Sequence, residues 1–202
     1  MREIYLRYGV AGFIRLIRDV LLTKIFYPSS KLIRRPIDIR GERFICFHPG
    51  LTTGRYCRIE AYNIKGDNVT LLTIGKRCQM NDFVHITATN RVSIGDDVLI
   101  ASKVYISDTN HGSYNGEWHS EPTERVVSRA LSSGEVVIGD NVWIGEGVAI
   151  LSDVTLGNNV IVAANSVVTK SFPDDVIVAG VPAVIIKKYN HEKRKWERFN
   201  AR

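Results

Sequence analysis

The stretch from Ile138 to Val168, IGDNVWIGEGVAILSDVTLGNNVIVAANSVV, decides the fold, because aliphatic residues recur in it at every sixth position. The first aliphatic row consists of Ile138, Ile144, Ile150, Leu156, Val162 and Val168. A second row follows four positions behind the first and consists of Val142, Val148, Val154, Val160 and the smaller Ser166. A buried face of an α-helix repeats every three to four residues instead. The period of six therefore predicts short strands joined by turns.

The same phase extends towards the N-terminus, with two interruptions. It continues upstream through Ile94, Ile100 and Ile106, earlier through Ile74, Met80 and Ile86, and more weakly through Ile39, Ile45, Leu51 and Cys57, which places the start of the repeat near residue 38. The step from Ile86 to Ile94 is two residues too long, which predicts a small bulge. The step from Ile106 to Ile138 predicts an inserted loop at residues 112–137.

Three strands per turn would close a triangular coil of about 18 residues, and coils stacked in register bury their aliphatic rows as one core. We therefore predict an all-β solenoid of parallel strands for residues 38–188. Stacked coils leave unpaired strand edges at both ends, which the flanking segments are expected to cover. For residues 1–37 we predict an N-terminal helical cap, in which Ile14, Ile17, Leu21 and Ile25 share one face. For residues 189–202 we predict a C-terminal basic tail or a short helix.

The composition is that of one soluble domain, since 45% of the 202 residues are hydrophobic and 24% are charged. Cys46, Cys57 and Cys78 form no CxxC pair, which argues against a disulfide scaffold and a structural zinc site, and no metal is expected. The default location is therefore the reducing cytoplasm. No apolar run approaches the ~20 residues that span a bilayer, and no cleavable signal peptide is expected.

The net charge of +6 combines two basic ends with an acidic middle. Residues 1–43 hold ten Lys/Arg against four Asp/Glu, and residues 187–202 hold seven against two. Basic ends can meet phosphates, anionic lipids or water alone. Since no nucleic-acid motif accompanies the charge, no nucleic-acid partner is expected. A peripheral membrane contact of the basic N-terminus stays open, which would place the protein at the inner face of the membrane.

Three motifs carry a family resemblance: Val142-Trp143-Ile144-Gly145, Ser166-Val167-Val168-Thr169-Lys170 and Ala179-Gly180-Val181-Pro182-Ala183. Together with the repeat, they resemble the hexapeptide-repeat acyltransferases, in particular the galactoside, maltose and xenobiotic O-acetyltransferases and the acetyltransferases of O-antigen and exopolysaccharide biosynthesis. The resemblance implies a left-handed parallel β-helix, a homotrimer and acetyl-coenzyme A as donor. The expected activity is acetyl transfer to a sugar hydroxyl, on a free sugar, a nucleotide sugar or a lipid-linked saccharide.

The resemblance also implies an acceptor site around His111, which lies in Asp108-Thr109-Asn110-His111-Gly112 and is the expected general base. An imidazole accepts protons at neutral pH, whereas a sugar hydroxyl does not ionise unaided. The hydroxyl oxygen would attack the thioester directly, without an acyl-enzyme. The expected acceptor-binding residues are Asn81, Asp82, His85, Asp108 and Asn110. The residue that orients His111 stays open between Asp108, a backbone carbonyl and a loop glutamate, namely Glu117, Glu121 or Glu124.

For the donor, the resemblance implies a groove between neighbouring subunits. Backbone groups of Gly145 and Ala164 are expected to bind the pantetheine amides, with Trp143, Glu146, Thr169 and Lys170 lining the groove. Lys187 is expected near the nucleotide phosphates, because lysine acts as a mobile point charge. The inserted loop carries Tyr114 and Trp118, which suits a lid or a sugar-stacking platform over the acceptor.

Two other functions remain open alongside O-acetylation. N-acetylation of an amino sugar would use the same base and the same donor groove, and only the acceptor pocket separates it. A non-catalytic β-helix scaffold would need neither His111 nor the donor residues. A metal-dependent β-helix enzyme of the γ-carbonic anhydrase kind is disfavoured, because His85 and His111 have no third histidine at ligand spacing.

Overall fold

The computed structural model describes residues 2–64, 66 and 68–199, and it describes no side chains for residues 2–5 and 7. Residue 1 of the predicted N-terminal cap and residues 200–202 of the predicted tail lie outside the described residues. The chain begins with a helix, α1 (Arg2–Phe26), whose backbone is non-helical at Gly9. Short 3-10 turns occur at Glu42–Phe44 and Val126–Ser128.

Nearly all remaining elements are short strands in three sheets, numbered here in chain order. Sheet A holds β1 (Leu32–Ile33), β4 (Thr52–Thr53), β7 (Gln79–Met80), β10 (Leu99–Ile100), β15 (Trp143–Ile144), β18 (Ile161–Val162), β20 (Val176–Gly180), β21 (Ala183–Asn190) and β22 (Lys195–Arg198). Sheet B holds β2 (Ile37–Arg40), β5 (Cys57–Ala61), β8 (His85–Ala88), β11 (Tyr105–Ser107), β16 (Ala149–Ile150) and β19 (Val167–Val168). Sheet C holds β3 (Ile45–Phe47), β6 (Leu72–Ile74), β9 (Arg91–Ile94), β14 (Glu135–Ile138) and β17 (Val154–Leu156). A separate hairpin consists of β12 (Thr109–His111) and β13 (Leu131–Ser133).

From β1 to β20 the chain visits sheets A, B and C in turn, and one such circuit is called a coil below. Neighbouring strands within each sheet are parallel over this range, as in the pair of Ile100 with Ile144. The residues of both predicted aliphatic rows between Ile138 and Val168 are at most 2% exposed. The predicted parallel strands and their inward rows are therefore confirmed, since stacked apolar side chains exclude water along the whole axis.

Two predicted boundaries move, and one insertion was not predicted. The first coil begins at Leu32 rather than near residue 38, because Ile33 is buried and lies one six-residue step before Ile39. The large insertion runs from Asp108 to Gly134, instead of 112–137, because β14 already pairs in sheet C from Glu135 onwards. An unpredicted insertion separates Ala61, at the end of β5, from Leu72, at the start of β6.

Helix α1 lies along the side of the coils instead of covering their end. We call the line of turns from sheet A to sheet B the A–B edge, and the line from sheet B to sheet C the B–C edge. Thr23 contacts Ile33 in the first coil, Asp19 binds Arg55 on the A–B edge of the second, and Tyr8 lines a cavity beside Asn81 and Ser102. Among the described residues, no helix combines the length and apolarity needed to cross a bilayer.

The C-terminal segment is an antiparallel extension of sheet A, so the predicted short helix is wrong. Strand β21 pairs with β20, and β22 pairs with β21 through Tyr189 and Trp196. Burial alternates along β21, as expected for a strand with one covered face. The hairpin covers the edge that β20 would otherwise leave unpaired.

Candidate active site

The sequence-predicted residues lie on two different edges of the coils. Asn81 and Asp82 follow β7 on the A–B edge, and Gly145 and Ala164 occupy the same edge two and three coils further along. His111 belongs to the hairpin that leaves the B–C edge, where Thr169 and Lys170 also lie. A single chain therefore does not bring His111 and Asn81 into one cavity.

Asn81 and Asp82 line a cavity of about 390 Å³ on the A–B edge, together with Arg34, Gly54, Arg55, Gln79, Ser102 and Tyr8 of α1. The carboxylate of Asp82 accepts a hydrogen bond of 2.6 Å from the backbone N–H of Arg55. Both Asn81 and Asp82 are exposed. The cavity thus presents amide, carboxylate and guanidinium groups, a set that can hydrogen-bond several hydroxyls.

His111 is exposed at the end of β12, where it pairs with Leu131 of β13. Successive residues of a strand point to opposite faces of the sheet, so the side chains of Asn110 and His111 lie on opposite faces of the hairpin. Asn110 instead lines a cavity of about 190 Å³ with Ser132, Ser152 and Asp153. Asn110 is therefore next to His111 in sequence without sharing its face of the hairpin.

The loop between β12 and β13 is held in place by Arg129. Its guanidinium donates hydrogen bonds to the carbonyls of Glu121, Pro122 and Glu124 and to the hydroxyl of Tyr114. Tyr114 in turn donates a 2.5 Å hydrogen bond to the carbonyl of His111. This chain of contacts fixes the backbone that carries the imidazole. Trp118 remains 58% exposed on the same loop.

Asp108 is an expected acceptor-binding residue and one of the candidates for orienting His111, but its side chain is engaged elsewhere in this structure. Its side chain is fully buried and accepts hydrogen bonds from the backbone N–H groups of Thr89, Asn90 and Arg91, at 2.8–3.0 Å. The hydroxyls of Thr89 and Thr109 also donate to it. Thr89, Asn90 and Arg91 belong to the turn that lengthens the step from Ile86 to Ile94. The longer turn thus supplies hydrogen-bond donors to the buried carboxylate of Asp108.

His85 lies on the outer face of sheet B in a polar cluster that the sequence did not reveal. Its Nε2 lies 3.0 Å from Glu60 Oε1 and 3.0 Å from the hydroxyl of Thr87. Glu60 is only 1% exposed and also pairs with Arg40 and Arg58. Burial raises the pKa of Glu60, but hydrogen bonds from Tyr62, Arg58 and His85 outweigh it and lower that pKa to about 2.

The predicted donor residues divide between the edges. Trp143 is half exposed on sheet A, and Glu146 forms an ion pair of 3.5 Å with Lys103. Gly145 is buried against the next coil, where a Cβ atom would lie 2.6 Å from the backbone nitrogen of Ala164. Only glycine fits this position, so coils approach each other closely on the A–B edge.

Lys170 and Lys187 both line a groove of about 1110 Å³ between the last coil and the C-terminal hairpin. Arg198 and the aromatic rings of Phe172 and Phe199 line the same groove. Thr169 is exposed next to Lys170. Phe172 is buried in the core, whereas Phe199 is exposed. The combination suits a phosphorylated nucleoside, because the cations attract phosphate and the ring of Phe199 can pack against a base.

The residues missed at the sequence level are Arg129, Glu60, Arg198 and Phe199. Arg198 and Phe199 lie in the segment predicted as a basic tail or a short helix. The preceding sequence, Ala183-Val184-Ile185-Ile186-Lys187-Lys188, does not alternate in polarity, so the strand shows only in the alternating burial of the structure. No local pattern marks Arg129 or Glu60, since their partners lie in loops or on other coils.

Comparison with other proteins identifies the family. A family model described as "Bacterial transferase hexapeptide (six repeats)" matches residues 135–170. "Putative lipopolysaccharide biosynthesis O-acetyl transferase WbbJ" of Escherichia coli (strain K12) is 47% identical over 193 residues, which cover 95% of this chain and 96% of that protein. The galactoside O-acetyltransferase of the same strain is 37% identical over 168 residues, which cover 80% of this chain and 75% of that protein.

A solved structure shares the fold. It is a mutant of AntD, an N-acyltransferase from Bacillus cereus, in complex with dTDP-4-amino-4,6-dideoxyglucose and coenzyme A. The TM-score is 0.66 with 21% identity, over 86% of this chain and 90% of that chain, so the likeness concerns the fold alone. The resemblance carried by the repeat and its motifs is thereby confirmed. The chain belongs to the bacterial hexapeptide-repeat transferases and, within them, to the O-acetyltransferases.

Proposed function

We propose that the protein transfers the acetyl group of acetyl-coenzyme A to a hydroxyl of a saccharide during lipopolysaccharide O-antigen or exopolysaccharide biosynthesis. Two relatives support the reaction and its setting: one is named for lipopolysaccharide biosynthesis and O-acetyl transfer, and the other for O-acetyl transfer to a galactoside. The exposed imidazole of His111 beside the aromatic loop supports the position of the chemistry.

His111 acts as the general base in this proposal. A ring nitrogen accepts the proton of the acceptor hydroxyl while the oxygen attacks the thioester carbonyl carbon. The new C–O bond replaces the C–S bond, and the departing thiolate receives the proton back from the imidazolium. His111 is then neutral for the next turnover. Positioned base catalysis of this kind is worth about 10²–10⁴ in rate.

Asn81 and Asp82 bind the acceptor hydroxyls, and the donor lies along Trp143, Gly145, Glu146, Ala164 and Thr169. The groove of Lys170 and Lys187 takes the nucleotide end of the donor, supported by the adjacent Arg198 and the exposed ring of Phe199. A saccharide hydroxyl is proposed over a sugar amine because both relatives above are named as O-acetyl transferases.

We further propose a homotrimer of left-handed parallel β-helices in the cytoplasm, with the basic N-terminal segment at the inner face of the membrane. The division of the site residues between two edges supports the oligomer. When the A–B edge of one chain faces the B–C edge of the next, Asn81 of one subunit meets His111 of another. A head-to-tail contact of this kind closes into a ring when three copies complete the rotation.

The observation that carries the proposal is the placement of His111, with an exposed imidazole on a backbone held by Tyr114 and Arg129. The test is His111→Ala, assayed by coenzyme A thiol release with a panel of sugars and by calorimetric binding of acetyl-coenzyme A. Turnover should fall by about 10²–10⁴ while donor binding is retained.

The matched control is His119→Ala, because His119 is also exposed on the inserted loop and contacts only the carbonyl of Gly116 among the bonds described for its ring. It should keep wild-type turnover. Undiminished thiol release by His111→Ala would contradict the role of His111. Failure of the wild-type protein to bind acetyl-coenzyme A would favour the scaffold function.

A further inference from the structure

Helix α1 turns its apolar side to solvent. Seven of its large apolar side chains from Val10 onwards are 39–69% exposed, namely Val10, Ile14, Ile17, Val20, Leu21, Ile25 and Phe26, while Phe13, Leu16 and Leu22 are partly buried. Residues 14, 17, 21 and 25 follow the spacing of one helical face.

The side of α1 that contacts the coils is polar. Asp19 and Thr23 are completely buried. The carboxylate of Asp19 pairs with Arg55 at 3.0 Å, and the hydroxyl of Thr23 accepts a hydrogen bond of 2.8 Å from the N–H of Ile33. Rotating the helix to bury its apolar stripe would break the pair of Asp19 with Arg55 and the hydrogen bond of Thr23, and it would leave Asp19 only Arg18 of the same helix, at 2.6 Å, as a described guanidinium partner. These contacts hold the apolar stripe outward.

Positive charge surrounds the stripe. Between Leu6 and Ile37 the sequence holds seven Lys/Arg and a single acidic residue, the buried Asp19. Arg15, Arg18, Lys24 and Lys31 are exposed. Exposed apolar side chains flanked by cations are the features of a helix that lies in the interface of an anionic bilayer.

We propose that the apolar stripe of α1 docks on an anionic membrane surface, with Ile14, Ile17, Leu21 and Ile25 inserted among the lipids. A second copy of the chain is the less favoured occupant, because two such helices would bring their cations together. The inference deepens the proposed function and rests on it for its purpose. Tyr8 of α1 lines the cavity of Asn81 and Asp82, so docking places that cavity beside the bilayer.

The test is flotation of the full-length protein with vesicles of equal parts phosphatidylglycerol and phosphatidylcholine, compared with phosphatidylcholine alone. The wild-type protein should bind the anionic vesicles at least tenfold more tightly, and added salt should weaken this binding. The double variant Ile17→Glu and Leu21→Glu should lose binding, since it places carboxylates in the stripe. The control Val69→Glu changes a similarly exposed apolar residue in a loop outside α1, and this variant should bind the anionic vesicles as the wild-type protein does.

Oligomeric mass and donor binding separate the alternatives. The stripe variant should keep the wild-type mass in light scattering and bind acetyl-coenzyme A normally. A loss of oligomer in this variant would assign the stripe to a contact between subunits and overturn the proposal. Absence of wild-type binding to the anionic vesicles would also overturn it. Vesicle binding without acetyl-coenzyme A binding would uphold docking and refute the proposed catalysis instead.

Discussion

The carboxylate of Glu60 is buried, although it lies on the outer face of sheet B, where side chains are usually exposed to solvent. Tyr62, His85 and Arg58 donate hydrogen bonds to it, and Arg40 lies 3.1 Å away. These partners come from three neighbouring strands of the sheet. A buried charge is tolerated when it is paired and hydrogen-bonded, so this cluster joins the first three coils.

We expect Glu60→Gln to lower the free energy of unfolding by about 1–2 kcal/mol at neutral pH, because Arg40 and Arg58 lose their shared counter-charge. The pKa of Glu60 is depressed to about 2 in the folded protein, so its stabilisation is present above the ordinary value of 4.5. The difference between wild type and variant should shrink as the pH falls from 4.5 towards 2. Urea unfolding across this range measures it. Glu135→Gln removes an exposed pair with Arg91 and should cost at most ~1 kcal/mol; an equal loss in both variants would contradict the argument.

The β12–β13 hairpin and its loop form the element on which catalysis is proposed to depend. One guanidinium, that of Arg129, ties three loop carbonyls to the Tyr114 hydroxyl, and that hydroxyl reaches the backbone of His111. A loop of this length has little apolar burial of its own, so these hydrogen bonds decide its conformation. Arg129 is thus a positioning residue that acts through His111.

Arg129→Ala should lower kcat and raise the KM for the acceptor, while the KM for acetyl-coenzyme A stays unchanged, because the hydrogen bonds described for Arg129 reach only residues 114–124 of the loop and none of the donor residues. Arg129→Lys should restore little, since a single ammonium cannot serve four acceptors in the fork geometry of a guanidinium. Arg125→Ala removes a nearby loop cation for which no side-chain hydrogen bond is described and serves as the control. Steady-state kinetics with each substrate varied in turn would detect the difference. A fall in kcat with both KM values unchanged is what a loss of folded protein produces, and it would contradict the positioning role.

At the scale of the whole molecule, the residues of the proposed acetyl-transfer site lie on two separate edges of the coils. The A–B edge carries Asn81 and Asp82, and the B–C edge carries His111 with the aromatic loop. A parallel stack of coils holds these edges apart within one chain. The proposed trimer would join them between chains, so that catalysis depends on assembly.

Mixing inactive His111→Ala and Asn81→Ala chains tests this arrangement. If each site takes its edges from two subunits, random trimers should recover up to about a quarter of wild-type activity, because some interfaces contain neither substitution. The chains are unfolded together, refolded as a mixture and assayed for thiol release. Each variant refolded alone is the control. No recovery in mixtures of proven hybrid composition would place both residues in a site within one chain.

The sequence pattern predicted the coils correctly because each coil repeats the same short-range arrangement of buried aliphatic residues. Each buried row member, such as Ile144 or Ile150, is marked by its period alone, and the motif around Trp143 and Gly145 reveals the family. The positions of His111, Asn81 and Lys187 were available from the same resemblance, while their roles remain predictions. The buried position of Asp108 was not predictable, since an acid beside a histidine motif does not show which backbone turn it binds.

The sequence by itself thus determined the parallel coils, their inward rows and the family, because a strict period leaves one way to bury the aliphatic side chains. Only the tertiary structure decided the rest: that α1 faces its polar side inward, that the C-terminus pairs as a hairpin, and that Arg129 and Glu60 organise distant backbone and side chains. Asp19 and Glu60 depend on partners remote in sequence, since Arg55 meets Asp19 only when α1 packs on the coils and Arg40 meets Glu60 only when coils stack. The partners of the C-terminal hairpin and of Arg129 are nearer in sequence, but no repeating pattern marks them.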